Sequence, residues 1–189
     1  MGLTQWNPID ALDPERFGSA RHQVHSAVLW LARLASSYGG EADPSLLWHA
    51  GRRAITTRAL EGDLGMELIL PELILTFTEH GVPVRHDFEL EGHTQAHVEA
   101  WILVELLHRD VDRTRFSKAL PYDVSALMTG DAIEFSPEAY TAELEALAGW
   151  YEHAMANRAG EATIWPQDLA LDHPDGAAPH TAPEAAPAR

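Results

Sequence analysis

The stretch 94-TQAHVEAWILVELLHRD-110 decides how the chain is read, because apolar residues appear on every side of it. Wound at 3.6 residues per turn, it is a helix. Val98, Trp101 and Ile102 share one face, Leu103 and Leu107 lie opposite, and His97, Trp101, Val104 and His108 run between them. A helix that is apolar all round needs cover on more than one side, so this segment is expected at the centre of the fold. Thr94 is its N-cap, and it ends near Arg109-Asp110. Glu105 falls between Trp101 and Ile102, where a carboxylate must either find a cation or stand ready as a general acid or base.

Outward from this helix, the chain reads as α+β. Asp13-Pro14 opens a first helix that runs to Tyr38 and stops at Gly39-Gly40, with Phe17, Ala20, Val24, Val28, Leu31 and Ala35 as its apolar stripe. A second Asp-Pro, at 43 and 44, predicts a short helical turn through Leu46, Leu47 and Trp48. The period then changes. Ala54 to Thr57 and Met66 to Phe77 read as strands, the second broken or held at an edge by Pro71, and Val84 to Leu90 returns after a turn at Glu79-His80-Gly81. A three- or four-stranded antiparallel meander is therefore expected over residues 54–90. Residues 111–124 read as irregular, Ser136-Pro137 starts a last helix to Ala156, and Ala162 to Trp165 makes a short strand. The expectation is one domain over residues 1–172, a small sheet packed on three helices, followed by a disordered Pro/Ala-rich tail over 173–189.

A chain of 189 residues with 46% hydrophobic content can bury a sizeable core. Its formal charge of −16 opposes binding to nucleic acid or to an anionic membrane surface, since phosphate recognition draws on clustered Lys and Arg. There is no cysteine, which removes disulfides, thiolate nucleophiles and Cys-based metal sites. With no signal-peptide pattern at the start and no apolar run long enough to span a bilayer, cytoplasm is the expected compartment. P-loop, dinucleotide fingerprint and nucleophile elbow are all missing, so no cofactor is expected.

The candidate chemistry lies in two groups. Glu105 and His97, both on the central helix, are the candidate acid–base pair, and Trp48, His49, Arg52 and Trp101 are the candidate ligand-binding residues, an aromatic platform beside a guanidinium. These residues are expected to line one pocket between sheet and helices. The structural alternative is that Glu105 is a buried carboxylate held by backbone groups or by an arginine, with the Arg52-Arg53 segment as its source, and that Arg52 and Arg53 snorkel over Trp48. The 11 histidines raise the question of metal. His93 and His97 have i,i+4 spacing, but Thr94 stands where the metalloprotease pattern requires Glu, and Thr94 also caps the helix, so no metal site is expected there. His22 and His25, spaced i,i+3, would need a third group supplied by the fold.

The order of segments resembles an uncharacterised bacterial domain-of-unknown-function family. The matching pieces are Val24-His25, the turn at Trp48-His49, Arg53-Ala54-Ile55-Thr56-Thr57, the hairpin to Leu90, the helix from Thr94 and the late Ile164-Trp165-Pro166. The resemblance implies an α+β fold and no particular activity. It lapses after Pro166, where the chain continues Gln167-Asp168-Leu169-Ala170. Function is therefore expected to be small-molecule binding or catalysis in the pocket, with a protein-interaction module or homodimer as the alternative.

Overall fold

The structure, a computed structural model, describes residues 9, 11–39, 44–124, 134–156 and 163–172. The fold is α+β. Among the described residues, three α-helices, α1 (Pro14–Tyr38), α2 (Gln95–His108) and α3 (Thr141–Ala156), accompany an antiparallel sheet of eight strands. These are β1 (Leu46–His49), β2 (Ala54–Thr57), β3 (Leu64–Ile69), β4 (Ile74–Glu79), β5 (Val82–Pro83), β6 (Phe88–Glu89), β7 (Thr163–Trp165) and β8 (Ala170–Asp172). Their order is β5-β4-β3-β2-β1-β7-β8, with β6 also pairing β4.

Asp13 begins α1 as its spacing predicts, its side chain accepting from the Glu15 and Arg16 backbone N–H groups. The predicted stripe is buried throughout, and α1 packs across β2 and β3 and against α3. Trp48 stacks on Tyr151 at 5.0 Å, and Phe77 lies 5.4 Å from Trp101, so α3 and α2 cover the same face of the sheet. Trp30 Nε1 donates to Gln95 Oε1 and ties α1 to α2. Arg16 joins α1 to the start of α3, donating to Glu143 at 2.7 Å and to the Ala139 carbonyl at 2.5 Å. That hydrogen bond holds the buried Glu143 carboxyl below the usual carboxylate range.

Three expectations change. The segment from Leu46 is not a helical turn but strand β1, pairing β2 on one side and β7 on the other. Its second neighbour comes from residues more than 100 positions downstream, a pairing that no local pattern reveals. Met66 to Phe77 does break at Pro71, but the break is a turn and not a bulge: residues 70–73 reverse the chain, and β3 and β4 pair with each other. Leu70 and Leu73 are both buried in that turn, which makes its apolar rhythm look like a continuing strand. Helix α2 is covered on one side only. Val98, Ile102, Glu105 and Leu106 are buried, while Val104 and Leu107 are exposed. The tail at 173–189 lies outside the described residues.

Candidate functional site

Successive strand residues point to opposite faces, so the sheet has a second side, opposite the face of Trp48 and Phe77 on which α3 and α2 pack. Register aligns Leu47, Thr56, Glu67 and Thr76 in one row across β1, β2, β3 and β4 on that side, with Gly65 opposite Thr78 beside it. Polar residues thus occupy an open sheet face, yet Glu67 and Thr76 are each only 1% exposed. The carboxylate of Glu67 is held by Arg52, whose Nε donates to Oε2 at 2.7 Å and whose Nη2 donates to Oε1. Arg52 reaches it from the 3-10 turn Ala50–Arg52 between β1 and β2. Among the described residues, no acceptor is bonded to the remaining Nη1.

A cavity of about 530 Å³ opens over this pair, its walls carrying His49, Thr56, Arg58, Thr78 and His80. Gly65 deepens it: a Cβ there would stand 2.5 Å from Thr78 Oγ1. Arg58 is steadied by Ser45 Oγ and Thr163 Oγ1, both at 3.3 Å. His49 Nδ1 is shielded from solvent with no hydrogen-bond partner among the described residues. A larger depression of about 810 Å³ follows α3, but there Arg53 is already engaged by Glu145 and Glu152, both at 3.0 Å.

The six candidate residues named from the sequence are not brought to one pocket. His49 and Arg52 meet at the open-face cleft. Trp48, one position away, points to the other side and is buried against Tyr151. Trp101 packs between Phe77 and Phe88, with ring centroids at 5.4 and 5.3 Å. His97 sits in the first turn of α2, where its Nδ1 accepts the Thr94 backbone N–H at 3.2 Å and completes a capping box. Glu105 lies eight positions later, roughly 12 Å along the helix axis, so the two do not form an acid–base pair on one small substrate.

Glu105 is paired, but by its own helix. Arg109 Nη1 donates to Oε2 at 2.6 Å and to the Glu105 carbonyl at 2.9 Å, while its Nε donates to Glu79 at 3.1 Å. Arg52 and Arg53 are committed elsewhere. The other carboxylate oxygen, Oε1, faces two histidines: Nδ1 of His108 at 3.7 Å and Nδ1 of His86 at 3.8 Å. His25 is structural, its Nε2 donating to the Pro166 carbonyl at 2.7 Å. Burial pushes its imidazole down to about 4.

Sequence reading passed over Glu67, Thr76, Thr78 and His86. The first three carried a signal, as polar residues alternating with Met66, Leu68, Leu75 and Phe77 belong on the opposite face. Their depth depended on how wide the sheet is. His86 carried none.

No family model, curated protein or solved structure matches this chain.

Proposed function

We propose that the protein binds a small polar molecule in the cleft on the open face of the sheet, rather than between sheet and helices. One observation carries the reading: a charged pair, Arg52 with the almost wholly buried Glu67, forms the floor of a cavity of about 530 Å³ in the middle of a sheet. Such a volume suits a small ligand. A buried ion pair adds little net stability compared with apolar packing, so its presence here calls for another role. Held by Glu67, the guanidinium is oriented before a ligand arrives, which lowers the ordering cost of binding. Arg52 Nη1, the imidazoles and the Thr hydroxyls offer donors and acceptors together. This set fits a molecule with a carboxylate beside a hydrogen-bonding group, such as a free amino acid or hydroxy acid. Among the described residues no cleft hydroxyl is hydrogen-bonded to His49 or His80, so binding is favoured over nucleophilic catalysis.

The test is a thermal-shift panel on the full chain with amino acids, hydroxy acids and neutral sugars, since a ligand that binds only the folded state raises the melting temperature. Carboxylate-bearing compounds are expected to raise it, and sugars are not. Gly65→Ala should abolish the shift, because the added methyl forces Thr78 Oγ1 to move without removing any charge. A flat panel, or a shift undiminished in Gly65→Ala, rejects the reading.

The second reading, self-association, has one observation in its favour. Ala96, Ala100, Val104 and Leu107 form an exposed apolar strip on α2. Over 12 positions that strip is about 18 Å long and about 10 Å wide, or ~180 Å², against ~800 Å² per partner in a stable interface. A monomer at micromolar concentration is the expected result in light scattering, and a concentration-independent dimer would reverse the order of the two readings.

A further inference from the structure

The geometry points to a metal site at His86, Glu105 and His108 that takes a divalent transition-metal ion, with zinc the best match. The three side chains each offer one ligand atom, and these atoms lie within 4.8 Å of one another. A tetrahedral zinc with bonds of ~2.0–2.1 Å holds its ligand atoms roughly 3.3–3.4 Å apart. The two separations from Glu105 Oε1, 3.7 and 3.8 Å, exceed this by only a few tenths of an ångström. Small rotations of two exposed imidazoles close that gap. Two neutral nitrogens with one carboxylate oxygen form a borderline donor set that favours zinc over magnesium or calcium.

Each part of the arrangement has a local cause. Glu105 and His108 are spaced i,i+3 on the last turns of α2 and therefore share a face. His86 comes from the loop between β5 and β6, with φ at +88°, a conformation that non-glycine residues seldom adopt. The imidazole rings of His86 and His108 lie 6.4 Å apart edge to face, leaving room between them. Arg109 does not block the site. It holds only Oε2 and leaves Oε1 to the ion, in the manner of the outer-shell hydrogen bonds that orient metal-binding carboxylates. Its charge is also answered by Glu79: two carboxylates and one guanidinium leave −1 around the site with both imidazoles neutral. Because His86 and His108 are 70% and 55% exposed, three protein ligands would leave a fourth position open to water.

The rival pair, His93 and His97, has Nδ1 atoms 3.4 Å apart, but the His97 lone pair already accepts the Thr94 N–H. It supplies two residues where the Glu105 site supplies three, one of them a carboxylate.

The experiment uses the full chain without a tag, stripped with a chelator, dialysed and titrated with Zn²⁺ by calorimetry, with bound metal counted by mass spectrometry. One equivalent should bind, and Co²⁺ in its place should give the visible absorption of a four- or five-coordinate ion. His86→Ala and His108→Ala should each weaken binding at least ten-fold with an unchanged circular dichroism spectrum, and His97→Ala should leave it as it is. Both histidines are exposed, so neither variant opens the core. Absence of stoichiometric zinc, or binding that survives both variants, overturns the assignment.

Discussion

Arg52→Ala is expected to lower the free energy of unfolding by about 3 kcal/mol, the lower end of what removing one partner of a buried ion pair costs. The lower end applies because Arg52 itself is 29% exposed, so water can follow the truncated side chain toward Glu67. Glu67 is nonetheless 1% exposed in a central strand and would lose both of the hydrogen bonds that Arg52 gives it. Urea denaturation reads this as a lower midpoint with an unchanged slope. The double variant Arg52→Met/Glu67→Met should recover most of the loss, since an apolar pair needs no charge compensation, yet should respond to no ligand in the thermal-shift panel. A single-variant loss below about 1 kcal/mol would mean that Glu67 is resolvated, and the cleft would then lack the fixed floor that the proposed function requires.

Acidification should remove a comparable amount of stability through His25. An imidazole ordinarily titrates near 6.5, whereas burial takes His25 down to about 4. Only the neutral ring suits its place, where Nε2–H donates to Pro166 and the side chain is buried. The sign follows from which state binds the proton. Above about pH 6.5 neither state is charged and the contribution is complete. Between about 6.5 and 4 the unfolded chain takes up a proton that the folded chain refuses, so stability falls with pH at up to about 1.4 kcal/mol per pH unit, about 3 kcal/mol in all. With ten other histidines in the chain, the measurement is a comparison. His25→Gln keeps a donor for Pro166 and cannot titrate. Its stability relative to the wild type should therefore rise steadily below pH 6.5. Parallel curves for the two proteins over that range would show that His25 is not held neutral by the fold.

Both predictions turn on pairings between distant parts of the chain, and these were the least legible parts of the sequence. Helix α1 was legible from end to end, because its cap, its stripe and its stop are all local. The strands at Ala54 and Thr163 were also legible from β-branched and aromatic content. At residues 70–73 Pro71 marked a break but not a reversal of the chain, because two buried leucines kept the strand rhythm going through the turn. Strand β1 was not legible, because the Asp-Pro before it is a helix signal and its partner β7 lies far away in sequence. The Glu105–His108 spacing stood in plain view. His86, which makes it a cluster of three, came from a loop that only the hairpin brings alongside.

What the residues by themselves determined is the set of local commitments: where helices start, which faces are apolar, and that Glu105 would be buried beside Trp101 and Ile102. Local propensity and periodicity are properties of a few consecutive residues, so they survive without the rest of the molecule. Tertiary structure alone decided which cation meets which carboxylate. Arg109 rather than Arg52 reached Glu105, and Arg52 was left to Glu67. It also decided that α2 is covered on one side only. An apolar helix buries whichever faces its neighbours reach, and here the sheet and α1 reach one. Helix α2 thus lies at the margin of the core, with the Glu105 carboxylate closed by a guanidinium on one oxygen and open to two imidazoles on the other.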